Sequence, residues 1–200
     1  MIIFAGLAAL ILYQLYSVLG RRVGRQPEDR PATETANAAP RPAERPLEPA
    51  EEGVALSGLA AVKARDPGFD LANFLNGAKQ AYQMIVKAFA EGDRPTLKNL
   101  LAAPVMASFD AAIAEREAQG RTEAVEFMHA PRADLEKAET GPGDLARMTV
   151  RFLAEFRSRS KGPEGEAVDD RRTAELWTFE RNLKSRDPNW RLVHVDAAEA

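Results

Sequence analysis

The sequence predicts an α+β domain, helices packed on one face of a curved antiparallel sheet, preceded by a single transmembrane helix and a leash. Three observations predict it. Apolar residues recur at spacings of three and four between residues 69 and 120, the period of helices with one buried face. Beyond residue 122 the period falls to two, the mark of strands with one dry side. Helices followed by a run of strands separate into a helical layer on an antiparallel sheet. Ahead of both lie an uncharged apolar run and a proline-rich stretch, neither of which belongs to such a domain.

The apolar run is Ile2 to Leu19, with only Gln14 and Ser17 polar. As a helix it spans roughly 27 Å, close to the ~30 Å hydrocarbon core of a bilayer. Tyr13 and Tyr16 fall toward one headgroup layer, where amphipathic rings prefer to lie. A cleaved signal peptide carries its positive charge before the apolar run, whereas here Arg21, Arg22 and Arg25 follow it. The expectation is therefore an uncleaved anchor over residues 1–20, with those arginines at the inner membrane surface beside acidic headgroups.

Residues 21–65 read as a disordered linker rich in proline, alanine and glutamate. Pro27, Pro31, Pro40, Pro42, Pro46 and Pro49 fall within it, with almost no large apolar residue up to Glu52. Such a segment buries too little surface to offset its ordering entropy.

The domain is expected over 66–200. Leu71, Leu75, Ala78, Tyr82, Ile85 and Phe89 make one face of a long helix ended by Gly92. "RPTLKNLLAAP" is a short second helix, and "VMASFDAAIAEREAQG" a third with Val105, Phe109, Ala112 and Ile113 inward. "AVEFMHA" and "ADLEKAE" are short strands. "RMTVRFLAEFRS" alternates, with Met148, Val150, Phe152, Ala154 and Phe156 on one side. "KGPEGEAVDD" reads as a loop, and "RTAELWTFERNL" and "NWRLVHV" as strands joined by "KSRDPN". A hairpin turning at Arg186–Asp187 sets Leu183 opposite Trp190, so that Trp177, Phe179, Leu183, Trp190 and Leu192 share a face.

The two tryptophans, Trp177 and Trp190, therefore read as core walls, one of them able to line a cavity at the mouth of the sheet. The pocket or core-wall candidates are Phe74, Tyr82, Phe89, Phe152, Trp177, Phe179 and Trp190. Little in the chain points to chemistry. There is no cysteine, which removes thiolate catalysis, iron–sulfur clusters and cysteine-ligated zinc. The two histidines, His129 and His194, have no metal-binding spacing, and no nucleotide or hydrolase signature occurs. No catalytic, cofactor or metal residue is expected. His194 follows the alternation of Trp190 and Leu192 and is expected to point partly inward. A net charge of −3 gives no reason to expect a nucleic-acid partner. Arg147, Arg151, Arg157 and Arg191 form a basic stripe on the outer sheet face, but Glu155 and Glu180 share that face, so cross-strand pairing explains it.

Three blocks carry a family resemblance: "DPGFDLANFLNGAKQAYQMIVKAFAEGDRPTLKNLL", "SFDAAIAEREAQG" and, the most specific, "LWTFERNLKSRDPNWRLV". From about Asp66 to Val195 the chain resembles the carboxy-terminal domain of the mitochondrial inner-membrane translocase subunit forty-four, in particular its bacterial membrane-anchored relatives. The resemblance implies a nuclear-transport-factor-two-like or cystatin-like fold around an apolar pocket, and a non-enzymatic adaptor or scaffold role. It implies partners as well: acidic phospholipid, and a protein such as a heat-shock chaperone or a membrane-protein complex. With the anchor it places the chain in a bacterial inner membrane, single-pass, amino terminus outside and domain cytoplasmic. The mitochondrial protein has a long amino-terminal segment for chaperone and channel contacts; this chain has the anchor and leash in its place. Two other functions suit the fold class: an isomerase- or dehydratase-like pocket enzyme, or a lipid or small-ligand carrier. The enzyme needs a displaced acid or base near Tyr82, and no inward Asp or Glu is evident from the pattern.

Overall fold

The computed structural model describes residues 49–198, with side chains from Ser57 onward. The expected anchor, Ile2 to Leu19, and the basic residues Arg21, Arg22 and Arg25 lie outside the described residues. Among the described residues no helix is long and apolar enough to cross a membrane.

Four helices come first: α1 Pro49–Arg65, α2 Leu71–Glu91, α3 Arg94–Leu100 and α4 Ala103–Ala118. Five strands follow: β1 Thr122–Phe127, β2 Arg132–Thr140, β3 Leu145–Gly162, β4 Gly165–Asn182 and β5 Arg191–Ala197. The sheet is antiparallel in the order β1-β3-β4-β5, and β2 also pairs with β3. β1 takes the far half of β3, from Phe156 to Lys161, and β2 the near half, from Ala146 to Leu153.

Helix α2 begins where Asp70 accepts a hydrogen bond from the Asn73 amide at 2.7 Å and ends at Gly92, whose φ of 74° only glycine adopts without strain. Between them Phe74, Ala78, Tyr82, Ile85 and Ala88 are buried, one stripe at helical spacing. The stripe faces the inner side of the sheet. There β3 supplies Met148, Val150, Phe152, Ala154 and Phe156, as the alternation predicts, and β4 supplies Trp177 and Phe179. Phe109 and Ile113 of α4 close the far end, with Phe109 and Phe89 rings 4.9 Å apart.

The structure departs from the sequence-based expectations at four places. The assigned linker ends too late: α1 occupies its last residues, with Val62 fully buried. Gly58 lets that helix lie directly on β2, because a Cβ there collides with the Ala138 carbonyl. An alanine-rich helix seated through glycine shows almost no apolar stripe, which hides it from periodicity.

The segment 161–170 is not a loop. β3 and β4 run on as one hairpin to a two-residue connection, Pro163-Glu164, with Gly165 at φ 118°. The third departure is the register at β5. Phe179 pairs with Leu192 but Thr178 with His194, so Val193 is an extra residue, a β-bulge. The bulge reverses the alternation. Leu192 faces the core, Val195 sits across from Trp177, and His194 turns outward to Asp196 at 2.8 Å rather than inward. Fourth, β4 stops at Asn182 and β5 starts at Arg191, so neither Leu183 nor Trp190 pairs within the sheet.

Candidate functional site

A groove of about 420 Å³ lies between the start of α2 and the turn 183–190. One wall is aromatic. Phe69 and Phe74 stand 5.9 Å apart, and Trp190 meets both edge-on, at 6.1 and 4.9 Å between ring centroids. Both Trp190 contacts have the edge-to-face geometry that aromatic quadrupoles favour, while the two phenylalanine rings are tilted. The floor is the exposed side of α2, where Gly77 opens onto empty space, Ala81 follows one turn later, and Met84 is 45% exposed.

Arg181 fixes the turn that carries Trp190. Its guanidinium ion-pairs with Asp66, donates to the Pro188 carbonyl at 3.4 Å, and lies 5.2 Å from the Trp190 ring centroid. Asp187 tightens the same turn by accepting from the Asn189 amide at 3.0 Å and its side chain at 2.7 Å. The groove is thus held by packing and by one partly buried ion pair. Its other polar residues include Asp70, already engaged as a helix cap, and the exposed side chains of Asn73 and Gln80.

A second feature lies deeper. Glu175 is 6% exposed on the inner face of β4, and its carboxyl accepts the Tyr82 hydroxyl at 2.9 Å. Thr173 lies 3.2 Å from the same hydroxyl. Tyr82 stacks on Phe152 at 4.5 Å and meets Trp177 at 4.6 Å. Burial holds Glu175 above the usual glutamate range, against the lowering effects of the Tyr82 hydroxyl and of the Trp177 N–H. That N–H has no hydrogen bond of normal geometry, so its help to the carboxylate is weak. Burial, and next the Glu175 charge, raise the Tyr82 hydroxyl beyond any working pH.

The expected site residues divide between these places. Phe74, Phe179 and Trp190 line the groove. Tyr82, Phe152 and Trp177 surround Glu175. Phe89 joins neither; it packs on Phe109, with the Arg116 guanidinium 5.2 Å from its ring centroid. The expectation that no acidic residue points inward is wrong for Glu175, which shares its side of β4 with Trp177 and Phe179. Phe69, Arg181 and Asp66 were missed as well, since a pairing across 115 residues leaves no local signal.

On the outer face of the sheet, Arg147 pairs with Glu180 at 2.7 Å, Arg157 with Asp170 at 2.6 Å, Arg172 with Glu155 at 2.7 Å and Arg151 with Glu136 at 3.1 Å. The first three are direct register partners, so Arg147 and Arg157 of the expected stripe are paired across strands and Arg151 pairs with Glu136 of β2, while Arg191 forms no ion pair among the described residues.

Helices on one face of a curved antiparallel sheet, with an aromatic groove at one end, define a small domain of α+β class. The Tim44-like domain model matches residues 55–197, most of the described chain. The protein belongs to the Tim44-like domain family, whose members are scaffold or adaptor domains linked to membrane-associated protein transport. No curated protein matches the chain. Among solved structures it is similar to the intermembrane space region of the chloroplast protein ARC6, at 14% identity and a TM-score of 0.49, over 66% of this chain and 98% of that one.

Proposed function

We propose that the protein is a membrane-tethered adaptor, held to a bacterial inner membrane by Ile2 to Leu19, whose domain docks an apolar segment of a protein partner in the groove. The observation that carries this reading is the aromatic wall of Phe69, Phe74 and Trp190 facing the open, small-residue floor of α2. Exposed Met84 gives that floor an adaptable apolar contact. A chaperone or a membrane-protein complex is the partner class that the family suggests. Acidic phospholipid belongs with Arg21, Arg22 and Arg25 in this reading rather than with the sheet, where Arg147, Arg151 and Arg157 are paired with acidic side chains.

Two variants test the two halves. Deleting residues 1–48 should release a folded domain from the membrane fraction; a domain that still sediments with membranes contradicts the tether. Trp190→Ala should abolish capture of the partner from solubilised membranes while the chain stays folded. Capture unchanged by that substitution contradicts the groove.

One observation favours a second reading, a pocket enzyme: a buried carboxyl beside Tyr82 is the pair such chemistry needs. The lining of the groove includes neither Tyr82 nor Glu175. Glu175→Gln should therefore leave partner capture intact. Loss of a turnover activity on that substitution would favour the enzyme.

A further inference from the structure

Glu175 is a buried ionisable group that docking in the groove does not use. It faces Phe152 across the β3–β4 ladder, and among the described residues the one hydrogen bond of normal geometry to its carboxyl comes from Tyr82 on α2. Charged groups approach from several elements, and each is engaged elsewhere or forms no ion pair with it. On β4, Arg171 pairs with Asp169. Arg116 of α4 and Glu123 of β1 pair with each other. On β5, Asp196 pairs with His194. Lys79 lies one turn before Tyr82 on α2, and the groups that act on Glu175 are Tyr82 and Trp177, not this lysine. β3 presents Phe152, Ala154 and Phe156 there, with no ionisable group among them. Among the described residues no cation lies within ion-pairing distance of this carboxyl, so its charged form is solvated by one hydroxyl and one poorly placed indole N–H.

The position matters as much as the chemistry. Tyr82 and Glu175 join α2 to β4, and those two elements also carry groove walls, Phe74 on α2 and Phe179 on β4. Ring contacts run without a break from one place to the other. Tyr82 touches Phe152 and Trp177, both 6.4 Å or less from Phe179, which meets Phe74 at 6.2 Å and through it Trp190.

We propose that Glu175 and Tyr82 form a proton-operated latch between α2 and β4. With the carboxyl protonated, the helix lies on the sheet as described. On ionisation the carboxylate draws in water, loosens α2 and shifts the Phe74 and Phe179 walls of the groove. The latch stands on the buried cluster itself; only its effect on the groove rests on the docking reading.

The test uses the full chain in detergent micelles carrying Trp190→Phe, so that Trp177, beside Glu175, is the one fluorescent indole. Emission and amide exchange across residues 71–91 are followed as pH rises. The expected result is a single emission step with a midpoint above the ordinary glutamate value of 4.5, accompanied by faster α2 exchange once intrinsic pH effects are removed. Glu175→Gln keeps the side chain's size and an acceptor for Tyr82, and should abolish the step. Tyr82→Phe removes the hydroxyl that favours the ionised form, and should move the midpoint upward. Superimposable titrations of the parent and Glu175→Gln overturn the latch, as does a midpoint that Tyr82→Phe leaves in place or lowers. Because the step is read without any partner, a missing step leaves docking untouched, and failure of docking leaves the step in place.

Discussion

Trp177 and Trp190 are chemically identical and do different work because of where each one sits. Trp177 is 3% exposed and touches Tyr82, Phe152 and Phe179, so Trp177→Ala should cost about 3–5 kcal/mol, measured by chemical denaturation. Trp190 is half-buried at the groove, and Trp190→Ala should cost on the order of 1 kcal/mol. Glu175 makes a pH-dependent prediction. Its folded value is raised, so its contribution to stability is full below 4.5 and is lost as pH rises through the folded value. The stability of Glu175→Gln relative to the parent should therefore grow as pH rises above 4.5; a difference that is flat with pH contradicts this. The role of Trp177 was legible, because it shares one side of its strand with Phe179, and Leu192 of the next strand falls on that side too. Glu175 lies on that same side and was passed over, since an acidic residue in a strand is ordinarily a wet one.

At the scale of elements, what the sequence conveyed depended on whether a local period existed. α2 and β3 have long one-sided patterns, and both appear where the pattern puts them. α1 has no such pattern and is recognised only through its seat on β2. Gly58→Ala should therefore detach α1, with lower thermal stability and faster amide exchange in residues 57–65; a variant as stable as the parent would refute that seat. The β5 bulge was equally hidden, since one extra residue inverts which side of a strand is dry without changing its composition. The ion pairs on the outer face are largely solvent-exposed, so each should add little to stability. Arg157→Ala is expected to lower stability only slightly, and by less at high salt, when compared by denaturant titration.

For the whole molecule, bulk composition divides the sequence into an apolar run, a proline-rich stretch and a domain with balanced charge, and only the last of these falls among the described residues. The groove was only partly foreseen. Phe74, Phe179 and Trp190 were singled out from their own neighbourhoods, but their convergence needs Arg181 to reach Asp66 across the fold. Family membership agrees with a scaffold or adaptor domain.

The most direct measurement is site-specific photocrosslinking in native membranes, comparing a probe at Gln80 in the groove with one at Arg159 on the exposed outer sheet face. The adaptor account predicts one defined adduct from Gln80 that disappears with Trp190→Ala, and no matching adduct from Arg159. An adduct of equal yield from both positions, or one at Gln80 indifferent to Trp190→Ala, would contradict it.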